Sequence, residues 1–312
     1  MEPDTVRRIL DRACRYWTLA DDVEVTLEAN PTSVERGKFA EFRTAGVNRI
    51  SVGLQSLRDE DLRRLGRMHS ARDGRRAVDL AGELFPRFSA DLIYARQHQR
   101  IEDWKVELGE ALSLGAGHLS LYQLTIEDGT VFGQRHARGQ LAGLPSDDLG
   151  ADLYTLTQDL CERAGLPAYE VSNHARPGEE CRHNLVYWTS GDYLGIGPGA
   201  HGRVTFGEER HAEISISDPK SWMQTVQKFG SAVTSEPLSR RDRAREHLLM
   251  GLRLRSGIDR AAQQALAGFP ISDRTVEHLV SLGLLKQDPE RLRATPSGML
   301  LLNSVIEALD EH

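Results

Sequence analysis

Four polar side chains stand where a strand would hand the chain over to a loop. Glu28 closes the stretch VEVTLEA, Gln55 closes RISVGLQ, Asp91 lies inside SADLIY, and Arg67 follows the second stretch within RRLGRMH. A carboxylate accepts hydrogen bonds from amino or hydroxyl groups, and a guanidinium pairs with a carboxylate through two parallel bonds. At the C-terminal ends of parallel strands such residues face the loops where ligands bind. Taken singly, each reads equally well as a structural ion pair or a solvated charge. A second group lies in CRHNLVYW, which brings His183, Asn184, Tyr187 and Trp188 together. If that segment is helical, His183 and Tyr187 share a face four residues apart. Two aromatics and an imidazole suit a planar ligand such as a porphyrin, with His183 as an axial ligand; the plainer reading is a histidine that anchors a loop. The stretch GPGAHG (197–202) has the spacing of a dinucleotide fingerprint. It carries a proline, opens no helix and comes late in the chain, so it reads as backbone approaching a flat ligand or as a glycine-rich turn.

The elements that must position these residues alternate. Helical periodicity covers 4–17, 34–45, 72–84, 102–114 and 147–164, and strand-like stretches lie between them at 23–29, 49–55, 89–94 and 118–124, with AYEVS (168–172) after the last helix. Alternation of this kind predicts parallel βαβ units. Strand parity then separates a barrel from an open sheet. Val23, Val25 and Leu27 share one face of their strand while Glu24, Thr26 and Glu28 share the other; Ile50, Val52 and Leu54 likewise oppose Ser51, Gly53 and Gln55. Strands covered by helices on both faces are apolar throughout, so a face of small and polar residues predicts a lumen that holds a ligand. The chain enters this series on a helix, and the expected fold is a partial (β/α)6-type barrel lacking its first strand.

Beyond residue 172 the pattern gives loops, a hairpin around Gly207 and a helix at 218–228. From about 240 three helices, a two-stranded turn and a last helix predict a winged-helix-like domain. The expected division is 1–235 for the partial barrel with its extension and 236–312 for the helical domain. Residues 240–312 hold 11 Lys or Arg against 10 Asp or Glu, not the basic face of a nucleic-acid reader, which points to a packing or lid domain. The net charge of -7 argues the same way against nucleic acid and against anionic membranes. There is no apolar run of the roughly 20 residues that span a bilayer, which leaves open peripheral membrane contact alone. The charged N-terminal segment does not read as an export signal. Cys14, Cys161 and Cys181 are odd in number and far apart, which fits a reducing, cytoplasmic setting and makes no local metal motif.

Read together, TLEANP, AGVNRISVGLQS, LGRMH, DLIY, LSLYQLTIEDGT, YEVSNHARPGEECRHNLVYW and GDYLGIGPGAHG resemble the radical S-adenosylmethionine family around oxygen-independent coproporphyrinogen III oxidase. Within it they are most similar to the heme chaperone branch, the HemW-like proteins, and HNLVYW is what favours that branch. The resemblance implies that Glu28, Gln55, Arg67 and Asp91 contact S-adenosylmethionine. It implies heme binding, with His183 as candidate ligand, transfer of heme to heme-accepting proteins, and a [4Fe-4S] cluster in support. The alternatives are a coproporphyrinogen III oxidase of porphyrin biosynthesis and a non-catalytic binding or regulatory remnant.

Two departures qualify the likeness. The family's Cys-x-x-x-Cys-x-x-Cys and Gly-Gly-x-Pro segments do not occur in this sequence. The expectation is a chain that starts late, through its assigned start codon or through degeneration of the gene, that has no cluster ligands, and that is inactive in radical chemistry. After Asp91 the chain reads DLIYARQHQR where relatives read DLIYGLPGQT, which removes glycine and proline from a loop near the ligand.

Overall fold

The computed structural model describes residues 1–33, 35–288 and 290–310. The chain forms two compact units, Met1–Glu180 and Cys181–His312. The expected boundary at 235/236 falls inside the second unit.

The first unit runs α1 (Pro3–Tyr16), β1 (Thr26–Ala29), α2 (Arg36–Thr44), β2 (Arg49–Gln55), α3 (Asp59–Arg64), α4 (Ala71–Leu84), β3 (Arg87–Tyr94), α5 (Ile101–Ser113), β4 (His118–Gln123), α6 (Val131–Ala137), α7 (Asp147–Arg163) and β5 (Asn173–Ala175). The five strands form one sheet in sequence order. β1 to β4 are mutually parallel, as alternation with helices predicts, and β5 returns antiparallel to β4. The fifth strand is therefore displaced from the expected AYEVS to NHA. Residues 168–172 make a bend that lets His174 bridge back to Ala168, so the chain leaving α7 turns over before it pairs with β4 and does so antiparallel. α3 and α6 are short helices inside stretches that the periodicity leaves as loops.

Period-two patterning sorts the sheet into two faces. Ile50, Val52, Leu54, Ala90, Leu92, Leu119 and Leu121 are fully buried with helix residues such as Phe39, Ala77, Val78, Ala81, Trp104 and Leu108. α4 begins with a capping box, in which Ser70 accepts from the Asp73 amide and Asp73 accepts from the Ser70 amide, satisfying two of the orphan N–H groups of that helix end. It lies so close to β2 that a Cβ on Gly74 would sit 2.8 Å from Leu54. Trp104 stacks on Tyr94 at 5.2 Å between ring centres and donates its indole N–H to Thr157 at 2.8 Å, which pins α5 to β3 and α7.

The second unit holds α8 (Arg182–Trp188), the antiparallel strands β6 (His201–Phe206), β7 (Glu209–Ser215) and β8 (Val233–Pro237) with α9 (Pro219–Phe229) between the last two, then α10 (Arg240–Gly251), β9 (Ile258–Asp259), α11 (Arg260–Ala267), α12 (Asp273–Ser281), β10 (Leu285–Gln287), β11 (Arg291–Ala294), α13 (Pro296–Leu300) and α14 (Leu302–Asp310). The hairpin at Gly207 and the helical segments form as the sequence predicts. The two-stranded turn gains β9 as a third strand, giving helices α10 to α14 and a small sheet with buried Leu248, Leu252, Ile258, Val276, Leu292 and Val305. Among the described residues no helix is long and apolar enough to cross a membrane.

Candidate functional site

The polar face of the first sheet is built in register. Glu28 lies opposite Ser51, Ser51 opposite Ser89 and Ser89 opposite His118; one step along, Gly53 lies opposite Asp91 and Asp91 opposite Ser120. Four parallel strands thus carry a carboxylate, three serines, a second carboxylate and a histidine on one surface. Ser51 Oγ donates toward the Asp91 carboxyl at 2.8 and 3.0 Å and lies 2.6 Å from Ser89 Oγ. Asp91 keeps some accessible surface, but protein surrounds its carboxyl closely enough that burial dominates and pushes its pKa up to about 6. The Ser120 and Ser51 hydroxyls and Arg49 work against that rise, and the neighbouring charge of Glu28 adds to it. The result is a carboxyl shifted toward neutrality on the polar face of the sheet, a common property of functional groups.

At the lower end of this face Arg49 is 3% exposed and its Nε has no acceptor. His118 is buried, its Nε2 lies 2.9 Å from the Tyr169 hydroxyl, and burial first and then Arg49 hold its pKa well below the ordinary range; it is a neutral imidazole at physiological pH. Tyr122, at the upper end, senses Asp91, Glu170 and Glu28, which together with burial raise its pKa. Glu170, fully buried beside Ser172 and Asn173, is also raised, chiefly by burial.

The structure thus brings Glu28, Asp91 and Gln55 to one face. Gln55 has a left-handed backbone at φ 65° and its side-chain amide folds back over Gly53, where a Cβ would stand 3.0 Å from Nε2. A non-glycine residue in that conformation stores strain and is held by its surroundings. Arg67 is placed differently. It lies on the connection between α3 and α4, exposed, with no side-chain hydrogen bond or ion pair among the described residues. Arg49, Ser89, Ser120, Tyr122 and Glu170 did not stand out in the sequence; the strand parity that exposed Ser51 could have found Ser89 and Ser120, which alternate with core residues in the same way.

The second candidate group sits on α8, which is helical as required. His183 is exposed, and its ring meets Tyr187 edge-on at 4.7 Å. Tyr187 in turn lies 4.3 Å from Tyr193. Backbone hydrogen bonds in both directions between Tyr193 and Arg203 fix that ring to β6, and an ion pair from Arg203 to Glu246 at 2.7 Å fixes β6 to α10. Next to this run of rings Ile196 is 84% and Leu194 52% exposed. The segment GPGAHG is the turn that feeds β6. Gly197 and Gly199 have φ of 120° and 70°, and the Gly199 amide donates to the Ile216 carbonyl.

Comparison with known proteins bears on both units. Residues 2–107 match the Radical SAM superfamily, and residues 238–301 match the HemN C-terminal domain. Over 98% of its length the chain is 41% identical to mouse "Radical S-adenosyl methionine domain-containing protein 1, mitochondrial", covering 72% of that protein. It is 37% identical to "Heme chaperone HemW" of Escherichia coli over 97% of this chain and 79% of the relative. Among solved structures, coproporphyrinogen III oxidase (HemN) from Escherichia coli, described as a radical SAM enzyme, superposes with a TM-score of 0.81 at 21% identity, over 100% of this chain and 75% of that one. The α/β architecture with its parallel sheet is the same.

Proposed function

This chain belongs to the radical SAM superfamily, in the group that includes heme chaperone HemW and its mitochondrial relatives, and on that premise we propose that it binds heme on α8 for delivery to heme proteins. The observation that carries the reading is the run of rings His183, Tyr187 and Tyr193 beside exposed Ile196 and Leu194. An imidazole free to reach an iron stands next to aromatic and apolar surface that a flat macrocycle would cover. The polar sheet face supplies a second, smaller ligand site in the same reading. Glu28, Gln55 and Asp91 would take the amino and ribose groups of S-adenosylmethionine, with Arg67 as the family's remaining contact.

The family also implies a [4Fe-4S] cluster, and the residues present do not fit one. Cys14 is exposed on α1, Cys161 is buried in α7 and Cys181 is buried at the start of α8. Burial pushes the Cys161 thiol up to about 12, so it is no thiolate at neutral pH. Among the described residues no group of three His, Cys, Asp or Glu side chains is placed to hold a metal ion. The proposed role of these residues is therefore binding, with no radical step assigned to them. The heme would be taken up and released by a protein of the cytoplasm or its organellar equivalent.

Titration with hemin tests this. A saturable Soret shift at micromolar hemin is expected, weakened on the order of tenfold by His183→Ala, about 1.4 kcal/mol. The absence of a saturable shift would sink the proposal. A shift that His183→Ala leaves unchanged would move the iron ligand elsewhere.

A further inference from the structure

The two strand ends that carry the small-ligand site share an unusual backbone. β2 ends at Gln55 with φ 65°, and β3 is followed by Ala95 with φ 55°. Neither is glycine, so each left-handed residue needs outside support. For β2 that support comes from two directions. His69, buried in the connection before α4, places Nε2 3.0 Å from the Leu54 carbonyl, so that this nitrogen is the donor. From α5, Glu107 accepts through one carboxylate oxygen from the Ser56 hydroxyl at 2.6 Å and from the Leu57 amide at 2.7 Å.

The other oxygen of Glu107 accepts from the Arg96 guanidinium. Arg96 is the residue after Ala95. It also donates to Asp61 of α3 at 3.0 Å and to the Ile93 carbonyl at 2.5 Å. Glu107 is 1% and Arg96 4% exposed. With Arg96 removed, Glu107 is left as an uncompensated buried charge, whereas with Glu107 removed Arg96 keeps Asp61. One buried carboxylate therefore ties the turn after β2 to the turn after β3, and the cation that holds it there is supplied by the second turn.

We propose that Glu107 and Arg96 are positioning residues for Gln55: Glu107, held by Arg96, fixes the turn after β2 and with it the left-handed backbone that sends the Gln55 amide over Gly53. Neither residue touches the ligand. The proposal rests on reading Gln55 as a contact for S-adenosylmethionine.

The experiment uses three variants of the full chain, Arg96→Met, Glu107→Gln and the double substitution, and two readouts. One is the dissociation constant for S-adenosylmethionine by calorimetry. The other is hydrogen exchange at the Leu57 amide relative to amides inside β3. Arg96→Met leaves the Glu107 charge unpaired, whereas Glu107→Gln leaves Arg96 with Asp61 and the Ile93 carbonyl, so affinity falls on the order of tenfold in the first and less in the second, and Leu57 exchange accelerates selectively; the double variant returns affinity to within about threefold, because glutamine's carbonyl oxygen still accepts from Ser56 and Leu57. Losses that add in the double variant overturn the proposal. So do variants that melt earlier yet keep the affinity of the folded protein and the Leu57 protection, which is what a merely structural pair would give. Should the parent chain not bind S-adenosylmethionine, the ligand reading of the sheet face fails on its own, and selective Leu57 exchange with its rescue decides the tether. If one single variant does not fold, the other single variant against the double gives the same comparison.

Discussion

The two candidate sites are prepared in opposite ways. In the first unit a carboxyl, three serines and a left-handed glutamine are set by sheet register and by buried hydrogen bonds. In the second, an exposed histidine and a half-buried tyrosine lie on a seven-residue helix of which no residue is buried, and a second half-buried tyrosine, Tyr193, stands beside it. The first arrangement suits a small polar ligand whose groups must be matched one by one. Its cost in strain and dehydration is met when the protein folds. The second suits a broad flat ligand that is to be handed on, because surface that stays wet until the ligand arrives can be uncovered again. Function by delivery needs the second kind of site and gains little from the first.

Substitutions that act on one unit and spare the other would break or sharpen this contrast. The largest effect is expected from Trp104→Ala, which empties a fully buried site against Tyr94 and removes the indole donor from Thr157, whose hydroxyl still donates to the Leu153 carbonyl; the cost is about 3–5 kcal/mol, read by denaturant unfolding. Loss of the S-adenosylmethionine site with retention of the hemin shift is the expected pattern, and simultaneous loss of both would undo the separation of the two sites.

Asp91→Asn comes next. The native carboxyl has its pKa raised from 3.8 to about 6, so it favours folding while protonated, below pH 4, and that advantage is lost as pH rises through 6. Relative to the parent, the asparagine variant gains stability between pH 4 and pH 7 by up to about 3 kcal/mol, an upper limit because Asp91 keeps some contact with water. Parallel pH–stability curves for the two proteins would contradict the assignment. A smaller effect is expected of Gln55→Gly. Glycine accepts φ 65° without strain, so the variant is stabilised by up to about 1 kcal/mol while its affinity for S-adenosylmethionine drops. A thermal melt and one binding isotherm check it, and a variant both less stable and equally good at binding would show that Gln55 is a structural residue.

Much of this was legible in the chain itself, for reasons that differ by element. β2, β3 and β4 announce themselves because polar and apolar residues alternate across a sheet that has one buried and one polar face, and the same alternation points to Ser51, Asp91 and the lumen-like surface. α8 was conditional until the rings of His183 and Tyr187 could be seen to meet. What the pattern did not show depends on contacts distant in sequence. Glu107 looks like any acid on an amphipathic helix, and nothing local says that it accepts from Ser56 fifty-one positions away. Arg96 reads as loss of a loop motif, whereas the fold makes it the partner of Glu107. β5 lies one segment later than the strand-like side chains of Tyr169 and Val171 predict, because the reversal at 168–172 goes with pairing to β4. Arg67 shows the converse, a residue marked by its motif that the fold leaves in solvent.

The serine row has a consequence for how the charge of Asp91 would be sensed. A hydroxyl has one proton to give. While Asp91 is ionised, Ser51 spends its proton on the carboxylate and must accept from Ser89, so every donor in the row points toward β3's carboxyl. Once Asp91 is protonated it can donate in turn, and the two hydroxyls, only 2.6 Å apart, are free to reverse. A change of a single proton at the centre of the sheet then becomes a change of polarity along a line of hydroxyls, a dipole that flips without any heavy atom moving.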